Sequence, residues 1–83
     1  MRNGGAAAIR DGLERSRWTV VELWRATLGI SGTLTTQDVA ELASGQRPST
    51  GYEHDILASA LNDHFTDAGR NHPVPYWRDL PPD

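Results

Sequence analysis

The 83-residue chain contains no cysteine, and every one of its eight basic residues is arginine. Without cysteine, neither a disulfide framework nor a thiolate metal site can supplement the core, and a reducing, intracellular setting is expected. Long apolar runs are missing as well. The longest candidate is interrupted by Glu22 and Arg25, short of the roughly 18 to 20 residues a membrane span requires. A secretory leader is not expected, because Ala6, Ala7, Ala8 and Ile9 run directly into Arg10 and Asp11. These absences lead us to expect a soluble, cytoplasmic protein without a membrane partner. Catalytic signals are lacking too: the serines fall at caps and turns, no motif sets a base beside a nucleophile, and Gly29 and Gly32 lack a following Lys-Ser/Thr that would cradle phosphate. Neither an enzyme nor a bound cofactor is expected.

What is present is helical periodicity in a chain with room for one core. A domain of this size buries only about 60% of its unfolded surface, so we expect a single domain over residues 1–83, with 1–5 as a flexible arm and 78–83 as a tail. Ala6, Ile9 and Leu13 form one apolar stripe, predicting a first helix to about Ser16. Gly12 inside it costs about 1 kcal/mol relative to Ala, so that helix needs packing to persist. Thr19 with Glu22 is a capping box that opens a second helix bearing Val20, Leu23, Trp24, Thr27 and Leu28. Gly29 suits a left-handed helix end, with Ile30 folding back on the last turn. Thr35 or Thr36 can cap a third helix with Val39 and Leu42 inward and Thr36, Gln37, Ala40 and Glu41 outward, closed by Gly45. After a loop held by Pro48, a second capping box, Thr50 with Glu53, opens a fourth helix. Its stripe is Ile56, Leu57, Ala60, Leu61 and Phe65. A loop is expected from Thr66 to His72, then a short helical turn within Val74 to Leu80, with Pro75 near its first position and Trp77 covering the core.

The order of elements, together with the words Val39-Ala40-Glu41-Leu42-Ala43-Ser44-Gly45-Gln46-Arg47-Pro48-Ser49 and Leu57-Ala58-Ser59-Ala60-Leu61, resembles Cro/C1-type (XRE) helix-turn-helix domains, in the style of small actinobacterial regulators. The resemblance spans roughly Thr19 to Trp77 and is strongest from Val39 to Phe65. It implies an all-α, four- to five-helix fold of the lambda-repressor-like type, and a transcription regulator, expected to be a repressor, that binds double-stranded DNA as a homodimer in the nucleoid. Helix three would enter the major groove. Carried over position by position, the base contacts would be Thr35, Thr36, Gln37 and Glu41, with Ala40 beside them. The phosphate contacts would be Arg17, Arg25, Arg47, Ser49 and Thr50. A Gln37 amide can pair with an adenine edge, and Thr36 can offer its methyl to thymine. Three features depart from the family pattern: the Gln that many members carry early in helix two is absent, the stretch from Gly29 to Thr36 is longer than the usual tight turn, and Trp24 and Arg25 stand where a small residue is common.

Plainer readings stand beside these. The formal net charge of -3 opposes phosphate binding, and Asp38 and Glu41 repel phosphates directly. Arg47 can equally be a solvated charge or a structural ion pair closing its loop. Arg17 and Arg25 can pair with Glu14 or Glu22 at the surface, and Gln37 can be an exposed residue without a role. Trp18, Trp24 and Trp77 are expected mainly in the core. His54, His64 and His72, with Asp55, Asp63 and Asp67, are zinc-ligand types, but no two histidines lie four residues apart and no functional metal is expected. The alternative function is a helical protein-protein interaction module on a helix-turn-helix scaffold that no longer binds DNA, with Trp18 or Trp77 meeting a protein partner. A third reading makes the chain the N-terminal piece of a longer regulator.

Overall fold

A computed structural model describes residues 4–71 and 73–81. The expected arm lies largely outside them, as do His72, Pro82 and Asp83. Four α-helices follow one another: α1 (Gly5–Ser16), α2 (Val20–Leu28), α3 (Thr36–Ser44) and α4 (Gly51–Asp67), then a single 3-10 turn at Trp77–Asp79. Among the described residues there is no strand, so the all-α expectation holds. No helix among them is long and apolar enough to cross a membrane.

Three helices begin the same way. Thr19, Thr35 and Thr50 each accept a hydrogen bond from the backbone N–H three residues on, while the carboxylates of Glu22, Asp38 and Glu53 accept one from the threonine's own N–H. Each box satisfies two N–H groups that a helix start otherwise leaves unpaired and places a carboxylate at the positive end of the helix dipole. The α3 box resolves the choice between Thr35 and Thr36 in favour of Thr35. At the other end of α3, Gly45 takes the left-handed conformation (φ 80°) that terminates the helix.

The packing is arranged around α4. Helices α1 and α2 each rest on both α3 and α4, and the 3-10 turn lies against α4. Ile56, Leu57, Ala60, Leu61 and Phe65 are all buried, as their spacing predicts, but so are the polar His54 within that stripe and Ala58 and Asn62 on its flank. The cause is the segment after α4, which folds back over it. Asn62 clasps Val74 by two hydrogen bonds, its Nδ2 donating to the Val74 carbonyl (2.9 Å) and its Oδ1 accepting from the Val74 N–H (3.1 Å). His54 Nε2 donates to the Pro75 carbonyl (2.8 Å), and Asp55 Oδ1 accepts from the Trp77 N–H (2.8 Å).

Four local expectations are corrected. Gly29 is right-handed (φ -75°), because the N–H groups of Ile30 and Ser31 both reach the Thr27 carbonyl and close α2 without a left-handed residue. Ile30 is then exposed, and Leu34 enters the core in its place, anchored by the Trp24 indole N–H on the Leu34 carbonyl (2.9 Å). Helix α4 continues through Asp67 and closes with the Arg70 N–H on the Phe65 carbonyl (2.7 Å), so the expected loop begins later. Pro75 precedes the short turn, which starts only at Trp77, and Leu80, expected in the tail, is buried.

Gly12 explains how α1 is kept. A Cβ there would lie 2.7 Å from Val74 Cγ2 and 3.1 Å from Leu61 Cδ1, so the missing side chain lets α1 close on both. Gly12→Ala is therefore expected to destabilise although alanine is the better helix former: a gain of about 1 kcal/mol in propensity is outweighed by about 1 to 3 kcal/mol of overpacking against a valine that is stiff at χ1. Thermal melting checks the sign. Asn62→Ala leaves the buried Val74 N–H and carbonyl without partners and is expected to cost about 2 to 4 kcal/mol in a denaturant titration.

Candidate nucleic-acid interface

The inner side of α3 is fixed by Val39, Leu42 and Ala43, all buried. That orientation turns Thr36 and Gln37 to solvent and leaves Ala40 and Glu41 half-buried at the edge of the face. Thr35 is exposed, but its hydroxyl oxygen already accepts from the Asp38 N–H (3.0 Å). Gln37 donates from Nε2 to Glu41 Oε2 one turn later (3.1 Å). The four residues expected to meet bases thus lie together on one short helix, and two of them are joined by a hydrogen bond.

Arg47 is the centre of this surface. From the loop after α3 its guanidinium donates to three carboxylates: Nη2 to Asp38 Oδ1 (3.1 Å), Nε to Glu41 Oε1 (3.4 Å) and Nη1 to Glu53 Oε2 (3.0 Å). The first two belong to α3 and the third to α4, so one side chain spans both helices. The ion-pair reading of Arg47 therefore describes its state in the free protein. Three of the five N–H donors of this guanidinium are engaged, so a phosphate would have to share it with three carboxylates.

The electrostatics follow from caps and ion pairs together. The Asp38 carboxyl sits below its ordinary range, first because the Thr35 backbone N–H bonds its ionised form, then through the Thr35 hydroxyl and the neighbouring Arg47. The Glu53 carboxyl is lowered in the same way by the Thr50 N–H and then by Arg47. Arg47 is raised in turn, chiefly by its hydrogen bond to Glu53. These side chains are half-buried and still in touch with water, which weakens each pair taken singly; a network sharing one forked cation is the arrangement in which such pairs matter most.

The remaining expected phosphate contacts are dispersed. Ser49 is half-buried and Thr50 exposed, both at the start of α4, where the Glu53 carboxylate already occupies the first turn. Arg17 is exposed in a left-handed conformation (φ 60°) between α1 and α2, and Arg25 is exposed near the end of α2. Among the described residues neither has an ion-pair partner: Glu22 is taken up by its own cap, and the surface pair that does form is Arg15 with Asp11 (3.0 Å). Both arginines are thus available cations.

The aromatic and histidine side chains serve the packing. Trp18 lies on the His64 ring (4.2 Å between centroids), Trp77 borders His54 (5.8 Å), and Trp24 holds Leu34. Among the described residues no group of three or more His, Cys, Asp or Glu converges as a metal site. Two features escaped the sequence reading. Asp38 is both cap and ion-pair partner, and the spacing Thr35-x-x-Asp38 was a legible signal for the first role. Tyr52, whose hydroxyl donates to Ser31 Oγ (3.2 Å), stands exposed near Ile30 and carried no signal.

No family model, no curated protein and no solved structure matches this chain.

Because Asp38 and Glu53 are held below the ordinary carboxylate range, the stability they contribute is present above the unfolded value of about 4 and is lost as pH falls through the lower folded values. The thermal midpoint is expected to drop as pH goes from about 5 to about 3. In Asp38→Asn with Glu53→Gln, which keep the oxygens that serve the caps, that drop should be smaller; an unchanged pH profile would show that other groups control it.

Proposed function

We propose that this chain is a sequence-specific, duplex-DNA-binding transcription regulator of the Cro/C1 helix-turn-helix kind, working as a repressor and as a homodimer. The observation that carries the reading is the presentation of α3: a short helix with its inner side locked into the core and Thr36 and Gln37 turned outward beside its capped N-terminus. A helix held in this way can enter a major groove with its first turn against base edges. Gln37 would read adenine and Thr36 thymine. Arg17 and Arg25, which have no carboxylate partner among the described residues, would hold the DNA backbone.

A second reading has its own observations. Val21, Leu28, Ile30 and Tyr52 are large apolar or aromatic side chains left exposed, and the arginine nearest α3 is shared among three carboxylates. A protein-interaction module would use such a surface, and its acidic balance would turn phosphate away.

Selection of the purified chain against a random duplex library at about 0.1 M salt separates the two. For a regulator, one site is enriched and its binding weakens steeply with salt; Arg17→Ala and Arg25→Ala each bind more weakly on every sequence, with a salt slope flatter by about one. Absence of enrichment together with absence of salt-dependent binding rejects the DNA reading in favour of the second.

A further inference from the structure

Gln37 does not stand alone on α3. A carboxylate only accepts hydrogen bonds, so the contact between Gln37 and Glu41 Oε2 (3.1 Å) requires the Gln37 amide nitrogen, not its oxygen, to face Glu41. The amide is thereby set one way round. Its carbonyl oxygen and its second N–H are not engaged by Glu41, and the side chain is exposed.

Glu41 is itself held. Its other oxygen, Oε1, accepts from Arg47 Nε (3.4 Å), while the two ends of the guanidinium are tied to Asp38 in the first turn of α3 (3.1 Å) and to Glu53 in the first turn of α4 (3.0 Å). Since α4 is the most buried helix, the amide of an exposed residue is linked through Glu41, Arg47 and Glu53 to the most constrained part of the fold. Arg47 also offsets the charge of Glu41, which would otherwise oppose the approach of a phosphate backbone.

We infer that Glu41 and Arg47 are positioning residues that fix the Gln37 amide as an adjacent donor and acceptor, making it selective for the adenine edge. This inference rests on the DNA-binding reading above. Adenine presents N7 as acceptor and N6 as donor, complementary to the two free positions of the oriented amide. Guanine presents acceptors at both N7 and O6, which leaves the fixed carbonyl facing another acceptor. The orientation also settles in advance a side chain whose rotamers would otherwise have to be restricted on binding.

The test compares base preference, position by position, in library selections with the parent, Gln37→Ala, Glu41→Ala and Glu41→Gln chains, each first checked for its thermal midpoint. The expected result is one adenine-selective position that Gln37→Ala abolishes and Glu41→Ala relaxes by about tenfold, with the other positions unchanged. Glu41→Gln keeps the side chain's length and an acceptor for the Gln37 N–H, so it should return the preference to within about threefold of the parent and also guards against a variant that merely unfolds. A site selected by the parent in which Gln37→Ala has its effect but Glu41→Ala does not overturns the positioning role and leaves the regulator reading intact. A uniform loss across all positions in Glu41→Ala overturns it as well. If the parent selects no site, the function proposed above fails and this inference fails with it.

Discussion

Burial of α4 on most of its circumference is the constraint from which the other elements take their places. At 100° per residue, the arc from Ile56 through Leu57, His54, Phe65 and Ala58 to Asn62 covers roughly two thirds of the helix. Helices α1 and α2 cover part of that arc and the segment from Val74 to Leu80 covers another, so α4 reaches the burial of a central helix in a chain too short to surround it with helices alone. Burying that last face with irregular chain brings backbone polar groups into the interior. Asn62 and His54 answer for them: a side-chain amide satisfies both polar groups of Val74, and an imidazole N–H satisfies the carbonyl of Pro75. Polar residues in this core are therefore part of how it closes.

The same arrangement prepares the surface. Because α1 and α2 each rest on both α3 and α4, the angle of α3 is set from beneath, by Val39, Leu42 and Ala43, while Arg47 ties it to α4 from the side. The connection between α2 and α3 does not loosen this, since Leu34 is buried within it and the Trp24 indole holds the Leu34 carbonyl. Trp24 thus organises this connection. Three acidic capping residues complete the picture. Each places a carboxylate where a helix N-terminus would otherwise attract an anion, so any phosphate approaching α3 or α4 meets Asp38 or Glu53 first. This is where the net negative charge of the chain is felt locally, and why, among the residues expected to meet phosphate, Arg17 and Arg25 rather than the helix ends are the open cations.

Much of the fold was legible in local chemistry. The boxes at Thr19 and Thr50, the left-handed Gly45 and the stripe from Ile56 to Phe65 are all short-range features, in which the residues that interact lie within a few positions of one another. The outward position of Thr36 and Gln37 followed from the same periodicity. Reading failed where a competing long-range contact decided the outcome. Gly29 has the composition of a left-handed cap, yet the double bond to the Thr27 carbonyl and the burial of Leu34 made one unnecessary. Gly12 looked like a weakness in α1 and is instead the point at which Val74, from the far end of the chain, comes into contact.

Sequence by itself determined that the chain is helical, where two of its helices begin and which residues of α4 form its main apolar stripe, because these depend on hydrogen bonds and periodicities spanning three or four residues. Tertiary structure alone decided that Asn62 and His54 would be buried, that Arg47 would be shared among Asp38, Glu41 and Glu53, and that Gln37 would be oriented by Glu41 within that network. Those outcomes depend on which segments meet across a folded core. A guanidinium has no preference among eleven acidic residues until packing brings three of them within its reach.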